Sequence, residues 1–208
     1  MDYQQLFDTC SFGLATPEKI VACEPFSCGG TEDDRDLNEF FTKDAIGYHN
    51  RLLGKTYFFC LKDNPNKIVT AFTVSYEGIK LTNRLAEEYQ QQFLDDTNLR
   101  DKDIKRFPGV LLGRLGTDQQ FSGQGYGSAV MDFIKAFFLT NVKAGCRFII
   151  VDALNNERTL SYYKRNDFKF LIEDERLEAK YVGVGVGRLP LHTRLMYFDL
   201  LTLKVNSE

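Results

Sequence analysis

Three glycines alternate with other residues in Ser122-Gly123-Gln124-Gly125-Tyr126-Gly127-Ser128, a segment lying between an apolar run and an amphipathic one. A helix N-terminus presents unpaired N–H groups and partial positive charge, so it attracts phosphates. Glycines let the backbone approach such an anion with no Cβ in the way. Three phosphate or acyl chemistries fail on detail. A P-loop ends in Gly-Lys-Ser/Thr, and no lysine stands here. A dinucleotide fold needs its third glycine one residue later and an acid about 20 residues on, where Arg147 sits instead. The G-x-S-x-G elbow of serine hydrolases is absent. A tight turn that merely caps a core helix stays open as the bland alternative.

The elements around the loop follow from periodicity. GVLLGRLGTD (109–118) reads as a buried strand. SAVMDFIKAFFLTN (128–141) carries Val130, Phe133, Ile134, Phe137 and Phe138 at helical spacing. CRFIIVDA (146–153) reads as a strand covered on both faces. A short helix over NNERTLSYYKRND, a strand DFKFLIE and a last strand TRLMYFDLLTL (193–203) follow. Upstream, Leu37, Phe41, Ala45, Tyr48 and Leu52 predict a helix over 34–53, with acids at its start where the helix dipole favours them. TYFFCLK (56–62) and KIVTAFTVSYEG (67–78) form a hairpin about Asp63-Asn64-Pro65-Asn66. Residues 84–100 are polar and helical in pattern, a solvated, mobile segment over one face of a site. This order predicts a mixed α/β or α+β sheet in one domain spanning 1–208, with a helical insertion at about 79–107.

Composition sets bounds. The 208 residues are 43% hydrophobic and 26% charged, with a net charge of −3, which gives no electrostatic case for nucleic-acid binding by the molecule as a whole. No stretch reaches the roughly 18 apolar residues of a membrane-spanning helix, and the N-terminus has no signal-peptide pattern. A cytoplasmic protein without membrane attachment is expected. The five cysteines lack the paired close spacing of a zinc site, so no metal is expected and the thiols are read as reduced.

From Leu111 to Phe168 the chain resembles the GNAT superfamily of N-acetyltransferases. The first motif is Q/R-x-x-G-x-G/A after a strand, matched by Ser122, Gly123, Gln124, Gly125, Tyr126 and Gly127, with Ser122 where Gln or Arg is usual. The second, N-x-x-A-x-x-F-Y followed by G-F, is matched by Asn156, Thr159, Tyr162, Tyr163 and Asp167-Phe168, with Thr for Ala and Asp for Gly. PFSCGGTEDDRDLNEFF and GKTYFFCL resemble more loosely a GNAT branch that includes tRNA-acetylating toxins, with Thr31 to Asp34 as an insertion before the helix.

The resemblance implies a mostly antiparallel sheet, splayed between its central strands and flanked by helices. It implies acetyl-CoA as cosubstrate, its pyrophosphate on Ser122–Ser128 and its pantetheine arm on Leu115, Gly116, Thr117 and Asn156. A primary amine would attack the acetyl group directly, and Tyr163 would protonate the departing thiolate. Tyr162 is read as a core aromatic, and helix N-capping is the alternative for Asn156. Asp118, Asp152 and Glu157 are candidate bases, with a water chain as another. The acceptor is expected to be a small-molecule, peptide or aminoacyl-tRNA amine. For tRNA, Lys143, Arg147, Arg158, Lys164, Arg165 and Lys169 are the candidate basic face. A non-catalytic acyl-CoA-binding module and a homodimer both stay open.

Overall fold

The turn Asp63–Asn66 joins two runs of β-branched and aromatic residues, and the amide of Lys67 closes it on the carbonyl of Asn64 at 2.9 Å. The result, in the computed structural model that describes residues 3–94, 105–140 and 144–205, is an antiparallel hairpin of Lys55–Leu61 with Ile68–Lys80. In chain order the elements are α1 (Tyr3–Thr9), β1 (Cys10–Leu14), α2 (Pro17–Ala22), α3 (Glu32–Glu39), a π-helical turn (Phe40–Asp44), α4 (Ala45–Asn50), β2 (Lys55–Leu61) and β3 (Ile68–Lys80). Then come α5 (Glu87–Leu94), β4 (Arg106–Thr117), α6 (Tyr126–Thr140), β5 (Phe148–Leu154), α7 (Glu157–Arg165), β6 (Lys169–Phe170), α8 (Glu175–Val182), β7 (Thr193–Asp199) and α9 (Leu201–Val205).

The strands are ordered β1-β2-β3-β4-β5-β7-β6 in one mixed sheet. β1–β2, β2–β3, β5–β7 and β6–β7 pair antiparallel. β4 and β5 pair in parallel, which requires a crossover, and α6 supplies it. Their register covers only Gly109–Leu111 against Phe148–Ile150, while β4 runs on to Thr117 and β5 to Leu154. This is the mixed α/β sheet that the sequence predicts, mostly antiparallel as the family resemblance implies.

The chain forms two compact units. The first comprises Met1–Tyr76 and Leu112–Asn141. On one face of its strands Phe12 packs against Phe59, Phe133 and Phe137 at ring separations of 5.0, 4.7 and 5.9 Å. On the other, Phe26, Phe40, Phe41 and Ala45 meet Phe58, Cys60, Ile68 and Ala71. The second comprises Glu77–Leu111 and Val142–Glu208, with a core of Ile79, Leu85, Phe93, Phe107, Phe148, Ile150 and Tyr197 among others.

Several boundaries depart from the sequence reading. Thr31 is the N-cap of α3, and its hydroxyl and the Asp34 carboxylate form a reciprocal capping box, so Thr31–Asp34 begin the helix instead of preceding it. The helical run then ends at Asn50, and Leu52 lies outside it with φ 58° and 90% of its surface exposed. Glu87–Leu94 is helical as expected, but Phe93 is buried in the second core, so this stretch is not simply solvated. Residues 95–100 of that segment lie outside the described residues. The run DFKFLIE yields a strand of two residues, Lys169–Phe170. The last strand stops at Asp199, whose carboxylate and carbonyl cap α9 through Leu201 and Thr202.

Candidate functional site

In the first unit the glycine loop is anchored at its base by a buried ion pair. Asp118 follows β4 and is 2% exposed; its carboxylate accepts from Lys67 Nζ at 2.9 Å, from the Gln120 amide at 3.0 Å and from the Ser27 amide at 3.4 Å. The Asp118 amide donates to Val69 and the Gln119 amide to Ser27, at 2.9 and 2.7 Å. A carboxylate held by this many donors is committed to structure, which removes Asp118 from the candidate bases.

Beyond a 3-10 turn (Gln119–Phe121) the loop is open to solvent from Ser122 to Gly125. Gly123 and Gly125 adopt φ of 75° and 88°, backbone that L side chains rarely enter, so two of the three glycines are required by conformation. α6 starts at Tyr126, and Ala129 donates to the Gly125 carbonyl at 3.1 Å as the helix closes. The amides of the first turn have no acceptor within the helix, by its geometry. The Tyr126 ring is buried, 5.5 Å from that of Phe121, leaving its main chain as what it offers a ligand. Gln124 folds back onto the Gln120 carbonyl at 2.8 Å, and Ser128 is exposed.

On β4, Leu115 and Thr117 are half-buried, and the Thr117 hydroxyl meets that of Thr70 at 3.2 Å. Gly116 is buried, and a Cβ there would collide with Cys28 Sγ and the Phe41 ring. Its lack of a side chain is a packing requirement.

In the second unit α7 carries the other motif. Asn156 is the N-cap, its Oδ1 accepting from the Thr159 amide at 2.9 Å, so the capping alternative is the arrangement observed. Tyr163 is 8% exposed, with its ring 5.3 Å from Phe168 and 5.2 Å from Tyr162; burial pushes its hydroxyl well above the ordinary phenol range. Tyr162, read as core, is half-buried and thus the more open of the two. Asp167 has φ 63°, which explains why glycine is usual at this motif position and why aspartate, which tolerates the left-handed region, can replace it.

Asp152 lies at an open position of β5, opposite Leu195 in register. Neighbouring protein strips part of its water and raises its carboxyl above the usual range, with the Glu77 charge adding to the effect. Glu157 is an exposed first-turn residue of α7. Of the basic candidates, Arg147 is engaged with Asp199 at 2.8 Å and stacked on Phe148, which removes it from any open face. Arg158, Lys164, Arg165 and Lys169 are exposed, and Lys143 lies outside the described residues. The Lys67–Asp118 pair was not predictable, since 51 residues separate its members.

No family model matches the sequence, and no curated protein matches it. Solved structures do. AtaTR bound with acetyl-CoA superposes with a TM-score of 0.64 at 18% identity, over 97% of this chain and 99% of that one. AtaT complexed with acetyl-methionyl-tRNAfMet gives 0.64 at 19% identity, covering 96% and 99%. A tyrosine-to-phenylalanine mutant of KacT gives 0.64 at 18%, covering 95% and 99%. The chain has the fold of AtaT and KacT. Within that fold, the loop before α6 and the helix α7 hold the two motifs read from the sequence.

Proposed function

We propose that this GNAT-fold chain is an acetyl-CoA-dependent N-acetyltransferase acting on a primary amine. The observation that carries the reading is the open loop after β4, with Gly123 and Gly125 left-handed and α6 beginning directly behind them. The likeness to AtaTR with acetyl-CoA, over 97% of this chain, supports it. The amides of Gly123–Ser128 hold the pyrophosphate, and the main chain of Leu115, Gly116 and Thr117 pairs with the pantetheine amides as a strand would. Asn156, its Oδ1 occupied by the cap, offers its amide N–H₂ to that arm. The amine lone pair forms the C–N bond, the tetrahedral oxyanion collapses, the C–S bond breaks, and the thiolate takes the Tyr163 proton. Asp152, with its raised carboxyl, accepts the proton that the ammonium must lose, directly or through water. We take 1–208 as one acetyltransferase domain, with the segment between β3 and β4 that carries α5 as its insertion, in the cytoplasm; among the described residues no helix is long and apolar enough to cross a membrane.

A second reading narrows the acceptor to the amino group of a charged tRNA, in a toxin-like role with an antitoxin partner. AtaT complexed with acetyl-methionyl-tRNAfMet and the AtaT–AtaR complexes favour it, as do the exposed cations of α7 and β6. The test is an acceptor screen following free-thiol release from acetyl-CoA, with aminoacyl-tRNA beside polyamines, amino acids and peptides. Release dependent on one amine class supports the reading. Tight acetyl-CoA binding with no release for any amine would instead make the chain a non-catalytic binding module.

A further inference from the structure

Among the buried and half-buried arginines described, Arg114 stands apart by the hydrogen-bonding capacity it leaves unused. Arg147 pairs with Asp199, and Arg194 meets Glu178 at 2.7 Å and the carbonyls of Ile172 and Glu173 at 3.0 Å each. Arg114, on β4 in the first unit, has its guanidinium carbon 4.0 Å from the centre of the Phe40 ring and 5.7 Å from that of Tyr48. Its Nε is buried without a hydrogen-bond partner, an arrangement that costs stability. Asp36 Oδ2 lies 3.8 Å from Nη2, beyond hydrogen-bond length, on a side chain that is 72% exposed. The neighbouring acids of the same helix are engaged elsewhere: Asp34 in the capping box and Glu39 with Lys43 at 2.8 Å.

Phe40, against which the guanidinium lies, opens the π-helical turn Phe40–Asp44 that interrupts the run from α3 to α4. Such turns are rare and concentrate at functional sites. Two aromatic rings thus lie against a planar cation whose side chain remains 27% exposed. A guanidinium fixed in this way is prepared for an oxyanion, which its N–H fork fits in a bidentate manner. Arg114 immediately precedes Leu115, the first β4 residue assigned above to the pantetheine arm.

We propose that Arg114 binds an oxyanion carried by the amine acceptor, a phosphate or a carboxylate, and that Asp36 stands in for that anion in the free protein. The proposal rests on the acetyl-transfer reading for the word acceptor, but binding of the anion can be measured without turnover. AMP is compared with adenosine, and alanine with alaninamide, by calorimetric or NMR titration of the protein with and without saturating CoA. The wild type is expected to prefer the charged member of one pair by about 10-fold or more, as a charge-assisted pair gives; AMP marks a phosphate source and alanine a carboxylate source. Arg114→Gln should abolish the preference, Arg114→Lys should keep part of it, and Asp36→Asn should increase it. The CoA-induced rise in melting temperature should persist in all of them. Its absence in the wild type would sink the donor reading and leave the anion result readable from the CoA-free titration. No anion preference in the wild type, or a preference surviving in Arg114→Gln, overturns the proposal. If Arg114→Gln does not fold, an unchanged preference in Asp36→Asn overturns it equally.

Discussion

Tyr163 and Tyr162 adjoin in sequence and differ in surroundings, so they separate chemistry from packing. A phenol buried as Tyr163 is stays protonated across the working pH range, the state a proton donor needs. Tyr163→Phe keeps the ring and should lower kcat by about 10²–10⁴, the usual worth of general-acid help, or roughly 3–5 kcal/mol. The acetyl-CoA dissociation constant should stay near wild type. Tyr162→Phe should retain turnover; equal losses in the two would assign the role to neither. Asp152 gives a pH signature. Because its carboxyl is raised in the fold, the folded chain binds more protons than the unfolded one between the ordinary and the raised pKa. Stability attributable to it therefore falls as pH rises through that window. Asp152→Asn should remove this fall, matching wild type in acid and melting slightly higher above the window. As the base, Asp152 also makes kcat rise with pH through the same window, and Asp152→Asn should flatten that limb. A mutant that melts lower at neutral pH, or keeps the limb, would contradict the assignment. At this scale the sequence displayed Tyr163 and the loop residues through motif spacing. It could not display that Asp118 is consumed by Lys67, since nothing local to either residue refers to the other.

Among the elements, the loop between β4 and α6 depends on what fixes its base. Lys67→Met would strand a buried carboxylate and should destabilise the fold by about 3–5 kcal/mol, while Lys67→Met with Asp118→Leu should recover most of the loss. A urea double-mutant cycle measures this, and additive losses would mean that the pair is not coupled. Elements with strong periodicity were legible in advance: α6 by its apolar stripe, and β2–β3 by the turn residues between them. Those set by capping were not. β7 ends where Asp199 caps α9, although the apolar letters continue through Leu200, Leu201 and Leu203. The short strand β1 and helix α8 carry no clean period. Neither does the π-helical turn, whose extra residue shifts the spacing after Phe41 and leaves Leu52 outside the buried stripe.

For the whole molecule, charge is unevenly divided. The first unit has nine basic and thirteen acidic residues, the second seventeen and sixteen, so the net −3 conceals a second unit close to neutrality. If the acceptor is a charged tRNA, affinity should fall steeply with salt, and joint replacement of Lys164 and Arg165 by alanine should weaken binding and reduce the salt slope by about 1–2. Salt-independent affinity would favour a small amine. The claim on which the rest depends is that acetyl-CoA is held at the glycine loop, and one calorimetric titration tests it. Wild-type protein should bind acetyl-CoA saturably. Gly125→Asp, which forces a side chain into left-handed backbone and brings a negative charge to the pyrophosphate, should bind at least about 10-fold more weakly while keeping its circular dichroism. Equal affinity in the two proteins, or no binding by wild type, would contradict the account.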